Sequence, residues 1–335
     1  MPNIKALLGF AVSFLFFYLA VRNVEWAGVL FVLKGIAPGF LFLTILFLFG
    51  SILIRAFLWK GLMTHKKKIS WLSSFESIII GYMGNNILPL RMGELMRAYV
   101  VEKKEGLSKS LVLASIILER LLDLLSLLFF FSALLLAMPL AEWLVLSGGL
   151  VFVFLVLMII LIYFLASDPG RLSSQMMKLF RYFPVWISEK AGRMVHSFIE
   201  GLALIKGKSQ AVKAILLSLL SWFFMTLSFY FCMEAFGMAL PLTAPLLLMV
   251  VLNIGVMIPS SPGFIGIFQY LCVVSLSFFA VSKESALAFS IILHASQYVP
   301  VTLLGWFYWA RLHLSFPRSL QTEFEKPKET KTFNP

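Results

Sequence analysis

Three ionisable residues interrupt a long apolar run in the segment L-E-R-L-L-D. Glu119, Arg120 and Asp123 are the charged residues of the run from Leu111 to Ala137. At about 1.5 Å per residue they lie roughly 12 to 18 Å along the predicted helix, near the middle of a bilayer. A charge at that depth is costly unless it is paired or faces a polar cavity. We therefore predict a buried charge network, in which Arg120 and Asp123 pair on one helix face. The alternative is a structural salt-bridge cluster that fixes helix packing.

A second group of ionisable residues follows a break in the helical pattern, in N-N-I-L-P-L-R-M-G-E-L-M-R. A guanidinium group at such a break can bind a carboxylate or a phosphate through two hydrogen bonds. We assign this role to Arg91 and Arg97, which are also the candidate cations for the charge network. Glu94 completes that network, and it is the candidate for proton coupling because a carboxylate in a low dielectric can be protonated near neutral pH.

The break has a counterpart in I-P-S-S-P-G-F-I-G, later in the chain. Pro89 with Gly93 and Pro259 with Gly263 form the same Pro-x-x-x-Gly core. Proline removes a backbone donor and glycine permits tight turns, so each core frees backbone groups that need partners. Paired breaks in two inverted repeats indicate a transport site. The alternative is that each Pro-Gly pair only ends a helix at the interface.

We predict that the two breaks bind a substrate. The candidate residues are Asn85, Asn86, Pro89, Arg91, Gly93, Arg97, Pro259, Ser260, Ser261, Gly263 and Gln269. The sequence predicts no catalytic residue, metal site or cofactor, since it contains no Walker A, G-x-S-x-G, H-E-x-x-H or paired-cysteine zinc pattern.

Composition places these residues in a membrane protein. Of 335 residues, 60% are hydrophobic and 13% are charged, and the apolar residues fall in runs that can cross a hydrocarbon core roughly 30 Å thick. The net charge of +12 does not indicate nucleic acid, because the basic residues are collected between the apolar runs. Cys232 and Cys272 lie inside apolar stretches and predict no disulfide.

The predicted fold is an all-α polytopic bundle of about six spans plus two broken, re-entrant segments in two inverted repeats. The predicted spans are Ile4 to Val21, Ile36 to Trp59, Leu111 to Ala137, Leu140 to Ala166, Ala214 to Met233 and Ser285 to Ala310. The broken stretches are Trp71 to Pro89 and Pro245 to Val281. Arg55 lies close enough to the end of its span to reach the membrane surface, so we assign it no role.

Residues 1–314 are predicted to form one transmembrane domain, with halves at about 36–137 and 211–311. A basic amphipathic linker at about 170–210 joins the halves on the cytoplasmic side, and residues 315–335 form a disordered cytoplasmic tail. Basic residues favour the cytoplasm in short loops, and Arg97, Lys103 and Lys104 are assigned to such a loop. The predicted location is a bacterial-type inner membrane, with both termini cytoplasmic. His294 falls in the last span, where we interpret it as a core histidine.

Three motifs together resemble a known family: N-N-I-L-P-L-R-M-G-E-L-M-R, L-E-R-L-L-D and I-P-S-S-P-G-F-I-G-I-F-Q. They resemble the membrane domain of lysylphosphatidylglycerol synthases and the stand-alone proteins grouped with it, over roughly Ile4 to Leu314. The resemblance implies a flippase domain that moves aminoacylated or other anionic lipids. The matching residues are Asn85, Pro89, Arg91, Gly93, Glu94, Arg97, Glu119, Arg120, Asp123, Pro259, Pro262, Gly263 and Gly266. Gln269 stands where such proteins often have glutamate.

The expected function is therefore transport of an anionic lipid between leaflets, without enzymatic activity. An aminoacylated or plain phospholipid and a polyprenyl-phosphate-linked lipid all fit the basic residues. Two alternatives are an intramembrane enzyme with Glu94 or Asp123 as base, and a non-transporting partner of a lipid synthase. The expected partners are membrane lipids and a lipid-modifying synthase, and no nucleic acid. The oligomeric state, including a homodimer, is left open, as are the energy source and the direction of movement.

Overall fold

A computed structural model describes residues 4–63, 69–88, 92–167, 207–255, 258 and 260–314. Over this part of the chain the longer regular elements are all α-helices, and there is no strand. They are α1 (Ile4–Val21), α2 (Trp26–Lys34), α3 (Pro38–Met63), α4 (Trp71–Ile87), α5 (Gly93–Glu105), α6 (Lys109–Ala137), α7 (Glu142–Ser167), α8 (Lys208–Ala235), α9 (Thr243–Gly255), α10 (Ile267–Ser277) and α11 (Lys283–Arg311). The predicted all-α architecture is confirmed for these residues.

Several helices have the length and composition of membrane spans. Among the described residues, α3, α6, α8 and α11 are 26 to 29 residues long and apolar enough to cross a bilayer. α1 passes the same test only together with α2, from which a bend of 81° separates it. Large apolar side chains point outward, including Phe14 at 74% and Leu136 at 91% exposure. Lipid is the solvent that such faces require, so the chain is a polytopic membrane protein.

The predicted spans correspond to α1, α3, α6, α7, α8 and α11, most of which extend a few residues beyond the predicted bounds. The prediction missed α2, whose nine residues pack Val29 against the rest of the bundle. The predicted linker lies outside the described residues as far as residue 206, and so does the tail. The domain boundaries stay a prediction.

A short helix precedes and another follows each break, although the predicted stretch from Trp71 to Pro89 covers only the first helix of its pair. α4 ends before Leu88, which is extended, and α5 folds back so that a β-carbon at Gly93 would lie 1.9 Å from the Gly81 carbonyl oxygen. The assignment of Arg97, Lys103 and Lys104 to a loop is wrong, because all three lie on α5. The buried residues of α5, such as Met96, form an apolar face that packs this helix against α4. α9 and α10 form the second pair, with a 3-10 turn at Pro262–Phe264 before α10.

The order of elements recurs along the chain. A long helix, two short helices around a break and another long helix occur as α3 to α6 and again as α8 to α11. The two leading helices, α3 and α8, make the most extensive contact of any described helix pair. Small polar residues line it: Ser228 Oγ donates to the Thr44 carbonyl oxygen at 2.7 Å. Such residues let helix backbones approach closely in a membrane.

Candidate functional site

Helix α6 places Glu119 at a junction with α3 and α5. The residue is fully buried, and each of its carboxylate oxygens accepts a hydrogen bond from a guanidinium group. Arg55 Nη1 donates to Oε1 at 2.9 Å, and Arg97 Nη2 donates to Oε2 at 2.6 Å. A carboxylate inside a bundle is tolerated when its charge is paired in this way.

Asp123 lies one turn further along α6 and contacts two arginines. Arg55 Nη1 lies 2.9 Å and Arg120 Nη1 lies 3.1 Å from Asp123 Oδ2. Trp222 Nε1, on α8, donates to Oδ1 at 3.0 Å. The predicted pairing of Arg120 with Asp123 is therefore present, and a residue of the second half holds the same carboxylate.

Arg55 is a member of the charge network that the sequence did not predict. We expected its side chain to reach the membrane surface, and this was wrong: the residue is 6% exposed and pairs with Glu119 and Asp123. The cause is the length of α3, which continues to Met63 rather than ending at Trp59. Two helical turns then separate Arg55 from the end, and two carboxylates lie closer than the interface.

Arg97 occupies the inner side of the cluster. It is 3% exposed, and its Cζ lies 3.6 Å from the centroid of the Trp59 ring, a cation–π contact. Trp59 is itself held by its Nε1, which donates to Ser115 Oγ at 3.0 Å. The structure therefore places Arg97 behind Glu119, where it does not line the cavity described below.

Arg120 is the guanidinium group with the most access. Its side chain is 43% exposed, against 7% for Arg55 and 4% for Arg97. Its Nε is buried and has no hydrogen-bond partner among the described residues. Three guanidinium groups meet two carboxylates in this cluster, which leaves an excess of one positive charge. Arg120 is the member through which an anion can meet that charge.

A cavity of about 520 Å³ opens beside the cluster. Arg55, Arg120 and Asp123 form its charged wall, and Glu94 is a fourth charged residue of the lining. Apolar side chains of α6, α7 and α8 continue the lining, namely Leu124, Leu127, Phe154, Met225 and Phe229. Charged and apolar surface in one cavity suits an amphiphile, because neither a free anion nor a pure hydrocarbon would pair with both parts.

The first break contributes three of its predicted residues to this cavity, Asn85, Asn86 and Glu94. Asn85 Oδ1 accepts from the Gly93 backbone N–H at 2.9 Å, so Asn85 and Gly93 stabilise the start of α5. Asn86 Nδ2 donates to Thr302 Oγ1 at 2.8 Å. Glu94 is half-buried and forms no ion pair with another described residue. Pro89 and Arg91 lie outside the described residues.

The second break meets the first. Gly263, at φ +70°, lines the cavity, and a β-carbon there would lie 3.3 Å from the Asn86 carbonyl oxygen. Tyr298 donates to that oxygen at 3.2 Å. The two breaks, at Gly93 and Gly263, are far apart in sequence and yet lie together in the bundle.

Other predicted residues of the second break face elsewhere. Ser261 bonds to Ser13 of α1, and Gln269 Oε1 accepts from the Gly266 backbone N–H at 2.7 Å, which caps α10. Ser260 and Ser261 do not belong to the cavity lining, nor does Gln269. Pro259 lies outside the described residues.

Sequence reasoning missed several cavity residues on α8 and α11: Trp222, His294, Gln297 and Tyr298. We interpreted His294 as a core histidine, but it lies in the cavity wall with its ring stacked on Phe268 at 4.5 Å. The recurring order of helices contained a signal for two of them. When the predicted spans that begin at Leu111 and Ser285 are aligned from their first residues, Arg120 pairs with His294 and Asp123 with Gln297.

No group of three or more His, Cys, Asp or Glu that could hold a metal occurs in the described part of the chain. The cavity lining includes guanidinium and amide groups that can bind a ligand.

Comparison with known proteins agrees with the motifs. The family described as the lysylphosphatidylglycerol synthase TM region matches residues 6–305. A UPF0104 membrane protein of Methanocaldococcus jannaschii is 24% identical over 323 residues, which cover 90% of this chain and 93% of the relative.

Proposed function

The chain belongs to the family of lysylphosphatidylglycerol synthase transmembrane regions, and we propose that it moves a phosphate-bearing anionic lipid between the leaflets of a membrane. The observation that carries the proposal is the cavity, in which a charged wall and an apolar wall meet within about 520 Å³. The phosphate binds Arg120, whose guanidinium group is the accessible one, with Arg55 behind it. The acyl or prenyl chains lie along Leu124, Leu127 and Phe154.

The two halves of the protein are inverted with respect to each other, and the helix pairs α4–α5 and α9–α10 are re-entrant. Two residue contacts support this part of the proposal. Ser51 and Ser221 have the same separation in sequence as the two breaks, and their hydroxyl oxygens lie 3.1 Å apart. Equivalent residues of two repeats touch each other when they lie on the axis that relates the repeats. The meeting of Asn86 with Gly263 likewise fits re-entrant tips that enter from opposite sides.

Transport in this scheme is alternating access around a fixed site. The charge network changes its pairing between an inward-open and an outward-open state, and Glu94, the acidic residue of the first break, is the coupling residue of that change. The lipid is not altered, so the protein is not an enzyme. The protein lies in a bacterial-type inner membrane, and the basic residues on the flanks support an orientation with both termini in the cytoplasm. A lipid-modifying synthase is the partner that would supply a modified lipid.

The test is leaflet exchange of labelled lipids in proteoliposomes that contain the wild type or Arg120→Gln. We expect the exchange of phosphatidylglycerol to fall at least about tenfold in the variant, because a charge-assisted pair with the phosphate is lost. Arg22→Gln is the matched control, since it makes the same change at the exposed end of α1 and should leave exchange unchanged.

Two results would count against transport. Equal exchange by wild type and Arg120→Gln would mean that the lipid does not cross the membrane through this cavity. A change in lipid mass, detected by mass spectrometry of the same liposomes, would indicate an enzyme that modifies the lipid instead.

A further inference from the structure

The cavity has a second polar wall, on α11, that carries no charge. His294 and Gln297 lie on this wall. Gln269 Oε1 is occupied by the Gly266 N–H at 2.7 Å, so the Gln269 amide must present Nε2 to His294 Nδ1, at 3.0 Å. His294 Nδ1 is therefore the acceptor of that bond, and the ring is neutral with its proton on Nε2.

Gln297 has unused hydrogen-bonding capacity inside this wall. Its Nε2 is buried without a hydrogen-bond partner in the part of the chain that the structure describes. On α9, Asn253 Nδ2 donates to the Met249 carbonyl oxygen at 2.7 Å, which leaves Asn253 Oδ1 as an acceptor in the same cavity. A buried donor without a partner is unfavourable, so a ligand that satisfies it gains affinity.

The repeat shows that this wall corresponds to the charged one. In the alignment of the two spans, His294 and Gln297 of α11 occupy the positions that Arg120 and Asp123 occupy on α6. Within each pair the two residues lie about one turn apart on their helix, and both pairs line the same cavity. The cavity thus has two equivalent walls, one built for an anion and the other for an uncharged polar group.

We propose that the α11 wall, through Gln297 together with Asn253, binds a hydroxyl group of the lipid headgroup, next to the phosphate on Arg120. The substrate is then a phospholipid whose headgroup carries hydroxyls, from either glycerol or a sugar. This inference rests on the proposed transport of a phosphate-bearing lipid and adds the class of headgroup. A hydroxyl fits because it accepts one hydrogen bond, from an amide N–H, and donates another, to an amide oxygen. An ammonium group can only donate, and a methyl ester of the phosphate does not donate at all.

The experiment measures equilibrium binding of three short-chain lipids to the full-length protein in detergent. Dioctanoyl phosphatidylglycerol and phosphatidylinositol carry hydroxyls, and dioctanoyl phosphatidylmethanol has the same phosphate charge without a hydroxyl. We expect the wild type to bind at least one hydroxylated lipid about tenfold more tightly than phosphatidylmethanol. Whichever of the two binds more tightly identifies glycerol or a sugar ring as the source of the hydroxyl.

Two variants assign the preference to the wall. Gln297→Met and Asn253→Leu should each reduce the preference to below about threefold, while the Kd for phosphatidylmethanol stays within about twofold of the wild-type value. That retained binding also shows that the variants are folded. The inference is overturned if the wild type binds all three lipids equally, or if both variants keep the preference. It is also overturned if both variants lose phosphatidylmethanol, because the two residues would then support the cavity without selecting the headgroup.

The same binding data distinguish failure of this inference from failure of the proposed transport function. If the wild type binds none of the three lipids, the transport proposal fails and this inference fails with it. If all three bind equally and Arg120→Gln weakens all three, the anion site stands and only the hydroxyl site is lost.

Discussion

Arg55 Nη1 lies 2.9 Å from Glu119 Oε1, so that an ion pair buried in the bundle joins α3 to α6. The same nitrogen lies 2.9 Å from Asp123 Oδ2. One guanidinium group therefore pairs with two carboxylates, and its removal would leave Glu119 with Arg97 and Asp123 with Arg120, so each buried carboxylate would lose one charged partner.

We expect Arg55→Leu to lower the free energy of unfolding by about 3–5 kcal/mol, the usual cost of breaking a buried ion pair from one side. Arg55→Lys should cost less, because an ammonium group keeps the charge but cannot span both carboxylates in the same way. Unfolding by SDS, followed by circular dichroism in mixed micelles, measures the difference. Arg22→Leu is the matched control at an exposed site and should stay within about 0.5 kcal/mol. Equal stability of Arg55→Leu and the wild type would contradict a structural role for the pair.

Arg55 also shows where sequence reasoning reached its limit. Hydropathy located the long helices because a long run of apolar residues is stable in lipid as a helix. It found the two breaks because proline and glycine interrupt those runs. It placed the end of α3 too early, at Trp59 rather than Met63, and this turned a central arginine into an apparent surface one. The depth of a charge depends on where its helix ends, which hydropathy defines poorly.

Two further misses have a different cause. α5 was taken for a loop because Arg97, Lys103 and Lys104 are basic residues between two apolar runs, although one face of the helix packs into the bundle. His294 was taken for a core residue because a sequence does not say which face of a helix borders a cavity. Only the packing of α11 against the breaks decides that, and a comparison of the α6 sequence with the α11 sequence would have indicated it.

A substitution at Gly263 tests the meeting of the two breaks. We expect Gly263→Ala to reduce stability by about 2–4 kcal/mol and to slow lipid exchange, because a β-carbon at φ +70° would also lie 2.7 Å from Tyr298 Cε2. Gly106→Ala is the control: it has φ +66° with nothing within 4 Å of the added carbon, so it should cost only about 1 kcal/mol. Thermal melts and proteoliposome exchange measure both variants. If the two alanines cost the same, the contact between the breaks is not tight.

The seam between α3 and α8 can be tested through Ser51 and Ser221. Their hydroxyl oxygens lie 3.1 Å apart, and Ser221 Oγ also lies 3.2 Å from the Ser51 carbonyl oxygen. A double-mutant cycle with Ser51→Ala and Ser221→Ala should give a coupling free energy of about 0.5–1 kcal/mol, the size found between membrane helices. Ser132, which bonds within its own helix, should show no coupling to Ser51. A coupling free energy near zero for the first pair would mean that the two serines do not hold the seam.

Ser13 is the residue through which α1 contacts the second break. Ser13 Oγ donates to Ser261 Oγ at 2.8 Å and accepts from the Ser261 backbone N–H at 2.7 Å. Glycines bring the two segments together: a β-carbon at Gly9 would lie 3.0 Å from the Ser260 carbonyl oxygen, and one at Gly266 would lie 2.2 Å from that of Ser13. α1 thus supports irregular backbone whose N–H groups need partners inside a membrane.

Ser13→Ala should therefore leave the Ser261 N–H without a partner, at a cost of about 1–3 kcal/mol. Because the loss is local, we expect faster hydrogen exchange in peptides that cover residues 258–266, with exchange in α3 and α8 unchanged. Mass spectrometry of the protein in nanodiscs measures this. Ser147→Ala removes a hydroxyl that donates only to the Leu144 carbonyl oxygen in its own helix, and it should change neither region. Unchanged exchange over residues 258–266 in Ser13→Ala would mean that the break holds its shape without α1, and a uniform increase would mean that α1 stabilises the whole bundle instead.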